Sequence, residues 1–266
     1  MPVYKAPVDE VTFLLRDVFR LDRYNNLPGF AEATPDVVEA VLAEAAKFSE
    51  AVLMPLNRIG DKEGCRRNAD GSVTTPTGFK DAYKKLAEGG WIGVSAPAEF
   101  GGQGLPIVIN QAVSEFFSSA NMAFCMYAAL TEGAAAAITV HGSPEQKKLY
   151  LPKLITGQWA GTMNLTEPQC GTDLGLVRTR AAAQSDGSYK IPGTKIFISA
   201  GEHDLAENIV HLSWPGSTAL RPARVACRSS SCRNSCRRRT AASAPATLSP
   251  AVRSKRKWEF TATPPA

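Results

Sequence analysis

The periodicity of the sequence changes once, at Trp159, and that change limits the chain to a helical unit followed by a β unit. Upstream, Thr34-Pro35-Asp36 reads as a helix start with Thr34 as N-cap and Pro35 at the first helical position. Val38, Val41, Leu42, Ala45 and Phe48 then form one apolar face. A polar loop from Asp61 to Thr75 carries the turn signal Asp70-Gly71, and Phe79, Tyr83 and Leu86 mark another helix that ends at Gly89-Gly90. The stretch from Gly90 to Pro106, dense in Gly and Pro, is a shaped loop. Helical character resumes from Ile107 to about Ser119, again through the alanine-rich region to His141, and from Ser143-Pro144 to about Thr156.

Beyond Trp159, Gly, Thr and β-branched residues take over, with Asp186-Gly187 as a turn. Strands are predicted at Trp159 to Leu165, Val177 to Gln184, Tyr189 to Ile198 and Asn208 to Leu212. The expected fold class is α+β: an amino-terminal helical domain, the first part of a β-barrel-like domain, then a disordered tail. The expected division is an extension at 1–35, a helical domain at 36–157, a partial β domain at 158–212 and a tail at 213–266.

Charge follows the same division. Residues 1–212 carry 19 Lys and Arg against 24 Asp and Glu, whereas residues 213–266 carry 11 against the single acid Glu259. An acidic body gives no reason to expect nucleic acid as a partner. Asp9 and Glu10 stand where a secretory signal needs an apolar run, so a cytoplasmic location is expected. The apolar segment from Asn121 to Val140 contains Glu132 and Gly133 and leans on alanine, which favours a buried core helix or helix pair over a membrane span. Cys65, Cys125 and Cys170 read as scattered thiols.

The most informative stretch is MNLTEPQCGTDLG, from Met163 to Gly175. It joins a strand to a loop in which the Thr166 and Thr172 hydroxyls and the Gly171 backbone offer hydrogen bonds to a heteroaromatic ring system. From spacing alone it reads equally as ordinary turn chemistry. Glu167, next to Pro168, is a structural acceptor in the turn rather than a general base. Trp91 and Phe100 belong to the core, and His141, His203 and His211 lack metal-ligand spacing.

With its T-E-P run ahead of a G-[ST]-D run, the stretch resembles the acyl-CoA dehydrogenase signature. WIGVSAPAEFGGQGLP, SPEQKKLYLPKLITGQWAGT and KIFISAGEHD resemble further segments of that family in order and spacing, so the resemblance covers about residues 36–212. The leading MPVYKAP resembles an extended subset that includes 3-methylmercaptopropionyl-CoA dehydrogenases. The resemblance implies FAD as cofactor, an acyl-CoA substrate, electron-transfer flavoprotein as acceptor, and a homo-oligomer for the full-length form, with no membrane. It implies that Met163, Leu165, Thr166, Gly171 and Thr172 line the flavin ring, with Thr172 also meeting substrate, and that Phe197, Ile198 and Ser199 form a second flavin contact. Met163 stands where an aromatic is common, Phe197 where Trp is frequent, and Gln169-Cys170 replace smaller residues. No catalytic residue is expected within this chain, because the family's Glu base belongs to a carboxy-terminal helical bundle. The polypeptide as written is therefore expected to be catalytically dead or nearly so.

In residues 213–266, Ser, Ala, Arg and Pro make up 34 of 54 positions and no apolar periodicity survives. A basic nucleic-acid-binding arm on a non-enzymatic protein and a metal-binding Cys cluster are the other readings, but Cys227, Cys232 and Cys236 form no CxxC pair. A shifted reading frame accounts for more. If one nucleotide is missing near the Leu212 codon, the frame permits VLARL from Ser213 to Ser217, LSLFIVPKFL from Cys227 to Cys236, and IEKKMGIHG around Trp258. All three resemble the family, in order and at one constant offset.

Overall fold

Two helices of this chain begin at a proline with an extended residue before it. In the computed structural model, which describes residues 3–185, 189–215, 224–228 and 261–262, the helices are α1 (Val8–Phe13), α2 (Pro35–Phe48), α3 (Met54–Glu63), α4 (Phe79–Glu88), α5 (Ile107–His141) and α6 (Pro144–Ile155). Thr34 is extended ahead of α2, but its hydroxyl makes no cap bond; the fixed φ of Pro35 starts the helix without it. Ser143 fulfils its expectation in full. Its hydroxyl accepts the Gln146 amide at 3.3 Å while the Gln146 side chain accepts the Ser143 amide at 3.0 Å.

Between α2 and α3, residues Ser49–Leu53 form a π-helical turn that the sequence reading did not foresee. Pro55, just beyond it, has no N–H to continue the ladder. The Leu53 carbonyl also receives the Asn121 Nδ2, at 3.1 Å. Asn121 is itself the break in α5, with φ −159° and ψ 84° inside an otherwise helical run. Its Oδ1 accepts the Phe124 amide at 3.0 Å, so it caps the second arm.

The break reverses the chain. Asn110 Nδ2 lies 3.0 Å from Glu132 Oε2, although 22 residues of straight helix span about 33 Å. The two arms therefore run back alongside each other, with Asn121 equidistant from both residues, and they match the helical stretches expected from Ile107 to about Ser119 and on to His141. By length and apolarity alone α5 would suffice to cross a membrane, but Phe124, Ala128, Thr131, Ala135 and Ile138 turn one face of the second arm into the protein. Asn121→Ala is expected to lower stability by about 1–3 kcal/mol, because the buried Leu53 carbonyl and Phe124 amide lose their partner together. Thermal unfolding monitored by circular dichroism measures that loss.

The main core lies among the helices, around Leu42, Leu53, Phe79, Leu86, Ile109 and Phe116. Trp91 joins it, stacking on Phe48 at 6.3 Å and meeting Phe117 edge-on at 5.4 Å. Phe100 packs on a smaller cluster of Tyr150, Leu151, Leu154, Ile155 and Val210.

The strands are β1 (Arg66–Arg67), β2 (Val73–Thr74), β3 (Trp159–Asn164), β4 (Ala182–Ala183), β5 (Tyr189–Lys190), β6 (Asn208–Ser213), β7 (Arg224–Arg228) and β8 (Thr261–Ala262). β1 and β2 pair antiparallel around the predicted Asp70-Gly71 turn. β3 and β6 pair in parallel, Trp159 opposite Asn208 through Asn164 opposite Ser213, and β7 adds antiparallel to β6. β4, β5 and β8 form a separate sheet. β3 seats on the second arm of α5 at Gly161, where the Gly161 amide donates to Thr131 Oγ1 at 3.0 Å and an added Cβ would meet that of Ala134 at 2.5 Å.

Two predicted strands shrink. Of 177–184 and 189–198 only β4 and β5, two residues each, pair as strands. The amides of Arg178 and Thr179 go to the Glu167 carboxylate and that of Ile196 to the Thr166 carbonyl, so no ladder can use them. The predicted Asp186-Gly187 turn lies outside the described residues, as do Cys232 and Cys236. In the tail that was expected to be disordered, the described pieces β7 and β8 are paired. Strand addition draws on backbone groups alone, and β6 offers β7 an edge regardless of side-chain composition.

Candidate functional site

The turn after β3 is built on a buried charge pair. Glu167 and Cys170 close it by exchanging backbone hydrogen bonds at 2.8 and 3.0 Å. The Glu167 carboxylate then accepts the amides of Arg178 (2.8 Å) and Thr179 (3.1 Å), the Gln169 Nε2 (2.6 Å) and the Lys195 Nζ (2.9 Å). Burial pushes its pKa up, but hydrogen bonds from Thr179, Lys195 and Arg178 outweigh that and hold it at about 2. The expectation of a structural acceptor rather than a base agrees with this geometry.

Lys195 is 4% exposed and its ammonium spends all three donors. They go to Glu167 Oε1, the Leu165 carbonyl at 2.9 Å and the Trp214 carbonyl at 2.8 Å. Leu165 directly follows β3 and Trp214 directly follows β6, so one cation gathers the ends of both parallel strands. The role of Lys195 escaped the sequence reading. The signal that was available is a lysine in an otherwise apolar and β-branched run, TKIFI, downstream of a lone acid in a tight turn.

These bonds bring most of the expected residues together. Ile196 donates its amide to the Thr166 carbonyl at 2.9 Å, which sets Leu165 and Thr166 beside the segment carrying Phe197 and Ile198. Gly171 approaches Thr166, its notional Cβ lying 3.8 Å from Thr166 Cγ2. Leu165, Thr166 and Ile198 are half-buried, whereas Met163, Gly171, Thr172 and Ser199 are exposed. Thr172 follows Gly171 and Ser199 follows Ile198 in the chain, while Met163 stands two residues before Leu165. Phe197 is the anomaly of the group: φ is +55°, a left-handed conformation that a bulky residue rarely adopts, and its ring is 88% exposed. Ala200 follows with φ +53°.

The downstream half of this loop latches onto the helical unit, which the sequence reading also missed. Asp204 accepts the Thr75 amide and hydroxyl at 3.1 and 2.7 Å and pairs with Lys80 at 2.9 Å. Burial opposes its charge, but Lys80 and Thr75 hold its pKa below the ordinary value. His203 packs edge-on against Tyr127 at 5.0 Å, and burial drives its pKa down to about 4, so it is neutral at pH 7. A separate cleft of about 570 Å³ lies between the amino-terminal segment and α2, bordered by Leu15, Arg16, Arg20 and Val38; none of the eight expected residues reaches it.

Comparison with known proteins agrees with this architecture. Residues 36–158 match the acyl-CoA dehydrogenase, N-terminal domain family. Over those residues the chain belongs to the acyl-CoA dehydrogenase family. It is 47% identical over 209 residues to 3-methylmercaptopropionyl-CoA dehydrogenase of Ruegeria pomeroyi, which covers 79% of this chain and 35% of that protein. It is 38% identical over 180 residues to a butyryl-CoA dehydrogenase of Syntrophomonas wolfei, covering 66% and 29% respectively. The chain thus spans about a third of the length of these curated relatives. The fold is that of butyryl-CoA dehydrogenase from Megasphaera elsdenii, with a TM-score of 0.60 at 20% identity over 86% of this chain and 55% of that one. It is also that of an acyl-CoA dehydrogenase complexed with FAD from Bacillus anthracis, with a TM-score of 0.59 at 22% identity over 87% and 36%. The eight expected site residues all lie beyond residue 158, outside the matched acyl-CoA dehydrogenase domain.

Proposed function

We propose that this chain supplies one wall of the flavin site of an FAD-dependent acyl-CoA dehydrogenase, which removes the α and β hydrogens of an acyl-CoA thioester. The observation that carries this reading is Phe197. A left-handed aromatic costs about 1–2 kcal/mol in backbone strain, and at 88% exposure its ring gains no internal packing in return. A planar ring laid against it would compensate. Met163, Leu165, Thr166, Gly171, Thr172, Ile198 and Ser199 would hold the rest of that ring's edge, so the residues present fit a flavin.

When bound, FAD supplies the acceptor for the substrate's β hydrogen, and electron-transfer flavoprotein is the proposed onward acceptor. The chain's own residues orient the ring. Thr166 and Thr172 offer hydroxyls along the wall, with Thr172 placed also to meet the substrate, and the strand ends gathered by Lys195 keep the wall rigid. Glu167 cannot take the α proton. Its carboxylate is held near pKa 2, is 4% exposed and is already engaged by four donors. The proton acceptor is proposed to lie outside the described residues, in the family's carboxy-terminal bundle. The tail from residue 213 is proposed to be the product of a shifted frame.

Titrating the purified chain with FAD, while following the flavin's visible absorption, tests the reading. A saturable spectral shift is expected, weakened about tenfold or more by Phe197→Gly, a loss of about 1.4 kcal/mol in binding. The same variant should unfold at an equal or higher temperature, because glycine relieves the strain. No bleaching is expected on adding acyl-CoA. Absence of any shift with the parent chain sinks the flavin reading, and acyl-CoA-dependent bleaching sinks the assignment of the base elsewhere.

A further inference from the structure

The loop that carries Phe197 is held by very little of its own. Predicted as a strand from Tyr189 to Ile198, it pairs as one only at Tyr189–Lys190. Between Lys195 and Gly201 the backbone hydrogen bonds are one from Ile196 to Thr166 and one internal turn bond from Gly201 to Ile198. Two of its residues, Phe197 and Ala200, sit in left-handed conformations. The Phe197 ring supplies no packing. Strain of this kind persists only where the surroundings over-determine it, and the strongest anchor at this end of the loop is the Lys195 ammonium two residues upstream.

We propose that Lys195 is a positioning residue for the flavin seat, its three hydrogen bonds holding the Phe197–Ser199 turn against the ends of β3 and β6. The proposal rests on the flavin reading above. It differs from a purely stabilising role in one respect: a buried ion pair can be replaced by apolar residues of similar volume without loss of stability, but methyl groups cannot engage the Leu165 and Trp214 carbonyls. Glu167 neutralises the cation, and the two carbonyls take the directional load. The loop's far end is fixed independently by Asp204 on Thr75 and Lys80, so loosening at Lys195 should be confined to the turn between.

Chymotrypsin reads this directly, because Phe197 is a cleavable residue in the turn itself. The full chain is digested briefly, and the fragment ending at Phe197 is quantified by mass spectrometry against cleavage after Phe19, which is exposed in a separate segment. In Lys195→Met/Glu167→Leu, which strands neither charge, the melting temperature should lie above that of Lys195→Met and below the parent's, because the Arg178 and Thr179 amides lose their acceptor. Cleavage after Phe197 should nonetheless rise about tenfold or more. Parental cleavage in the folded double variant overturns the proposal. Should the double variant not fold, Lys195→Gln decides by the same ratio, with a rise expected and no change fatal.

Added FAD separates the two claims. It should slow cleavage of the parent after Phe197 and protect the variant much less. If it protects neither, the flavin reading falls and Lys195 is judged on the cleavage ratio alone. Equal protection of both overturns Lys195 as a positioning residue while leaving the flavin reading intact.

Discussion

Lys195→Met alone is expected to lower the unfolding free energy by about 3–5 kcal/mol, because it leaves the buried Glu167 carboxylate without its counter-ion. The side chains of the pair are 1% and 3% exposed and 2.9 Å apart, so solvent can neither screen the pair nor rescue the stranded charge. The penalty should depend on pH in a definite direction. In the parent, Glu167 is held at about 2, below its ordinary value of 4.5. Its stabilisation, about 3 kcal/mol by that difference, is therefore complete above the ordinary value and lost as pH falls toward 2. In the variant, burial still raises the pKa while one of the groups that lowered it is gone, so the carboxyl takes up a proton at higher pH. The gap between the two proteins should narrow steadily as pH falls from 7 through the carboxylate range. Urea denaturation at a series of pH values measures it. A constant gap would mean that Glu167 remains solvated or finds another cation.

Gly161→Val should also be damaging, for a steric reason. A Cβ at Gly161 would lie 2.5 Å from that of Ala134 and 3.3 Å from the Thr131 backbone, where β3 seats on the second arm of α5. Neither neighbour is a flexible side-chain end that can swing away. Overpacking of this kind costs about 1–3 kcal/mol, and valine adds two methyls to the collision. Gly161→Ala combined with Ala134→Gly should recover much of the loss, since the tightest contact disappears. Gly133→Ala, one residue from Ala134, is the matched control. Nothing lies within 4 Å of its notional Cβ and the position is helical, so alanine there should stabilise by about 0.5–1 kcal/mol. Melting temperatures of the single and double variants decide both claims.

Local chemistry made the helical unit legible. Ser143 and Gln146 announce their capping box in sequence, and Pro35 starts α2 even though the Thr34 hydroxyl plays no part. The alanine-rich region was readable as a buried helix, and the stretch from Ile107 to about Ser119 as another. Their pivot was not, because Asn121 breaks the helix by reaching Leu53, 68 positions away, and no local signal reports such a partner. The same limit explains the β unit. β3 and β6 show in the Gly, Thr and β-branched residues from Trp159 onward, whereas 177–184 and 189–198 have strand composition but give amides to Glu167 and Thr166. The expected site residues sit along the Thr166 turn and the Phe197 loop, and the one hint that a lysine ties these segments together is its place in the apolar run TKIFI.

The parallel pairing of β3 with β6 also sets an order of events in folding. Trp159 faces Asn208 across 49 positions of intervening chain, so each rung of that ladder must first close a long loop, whereas the two arms of α5 meet through a turn of a single residue. Closure of long loops is the slow step in topologies of this kind. The helical hairpin should therefore form early and act as the template on which Gly161 docks, with the two strands joining last. Mutations at Asn121 should slow refolding, while those at Lys195, where the strand ends are gathered, should chiefly hasten unfolding.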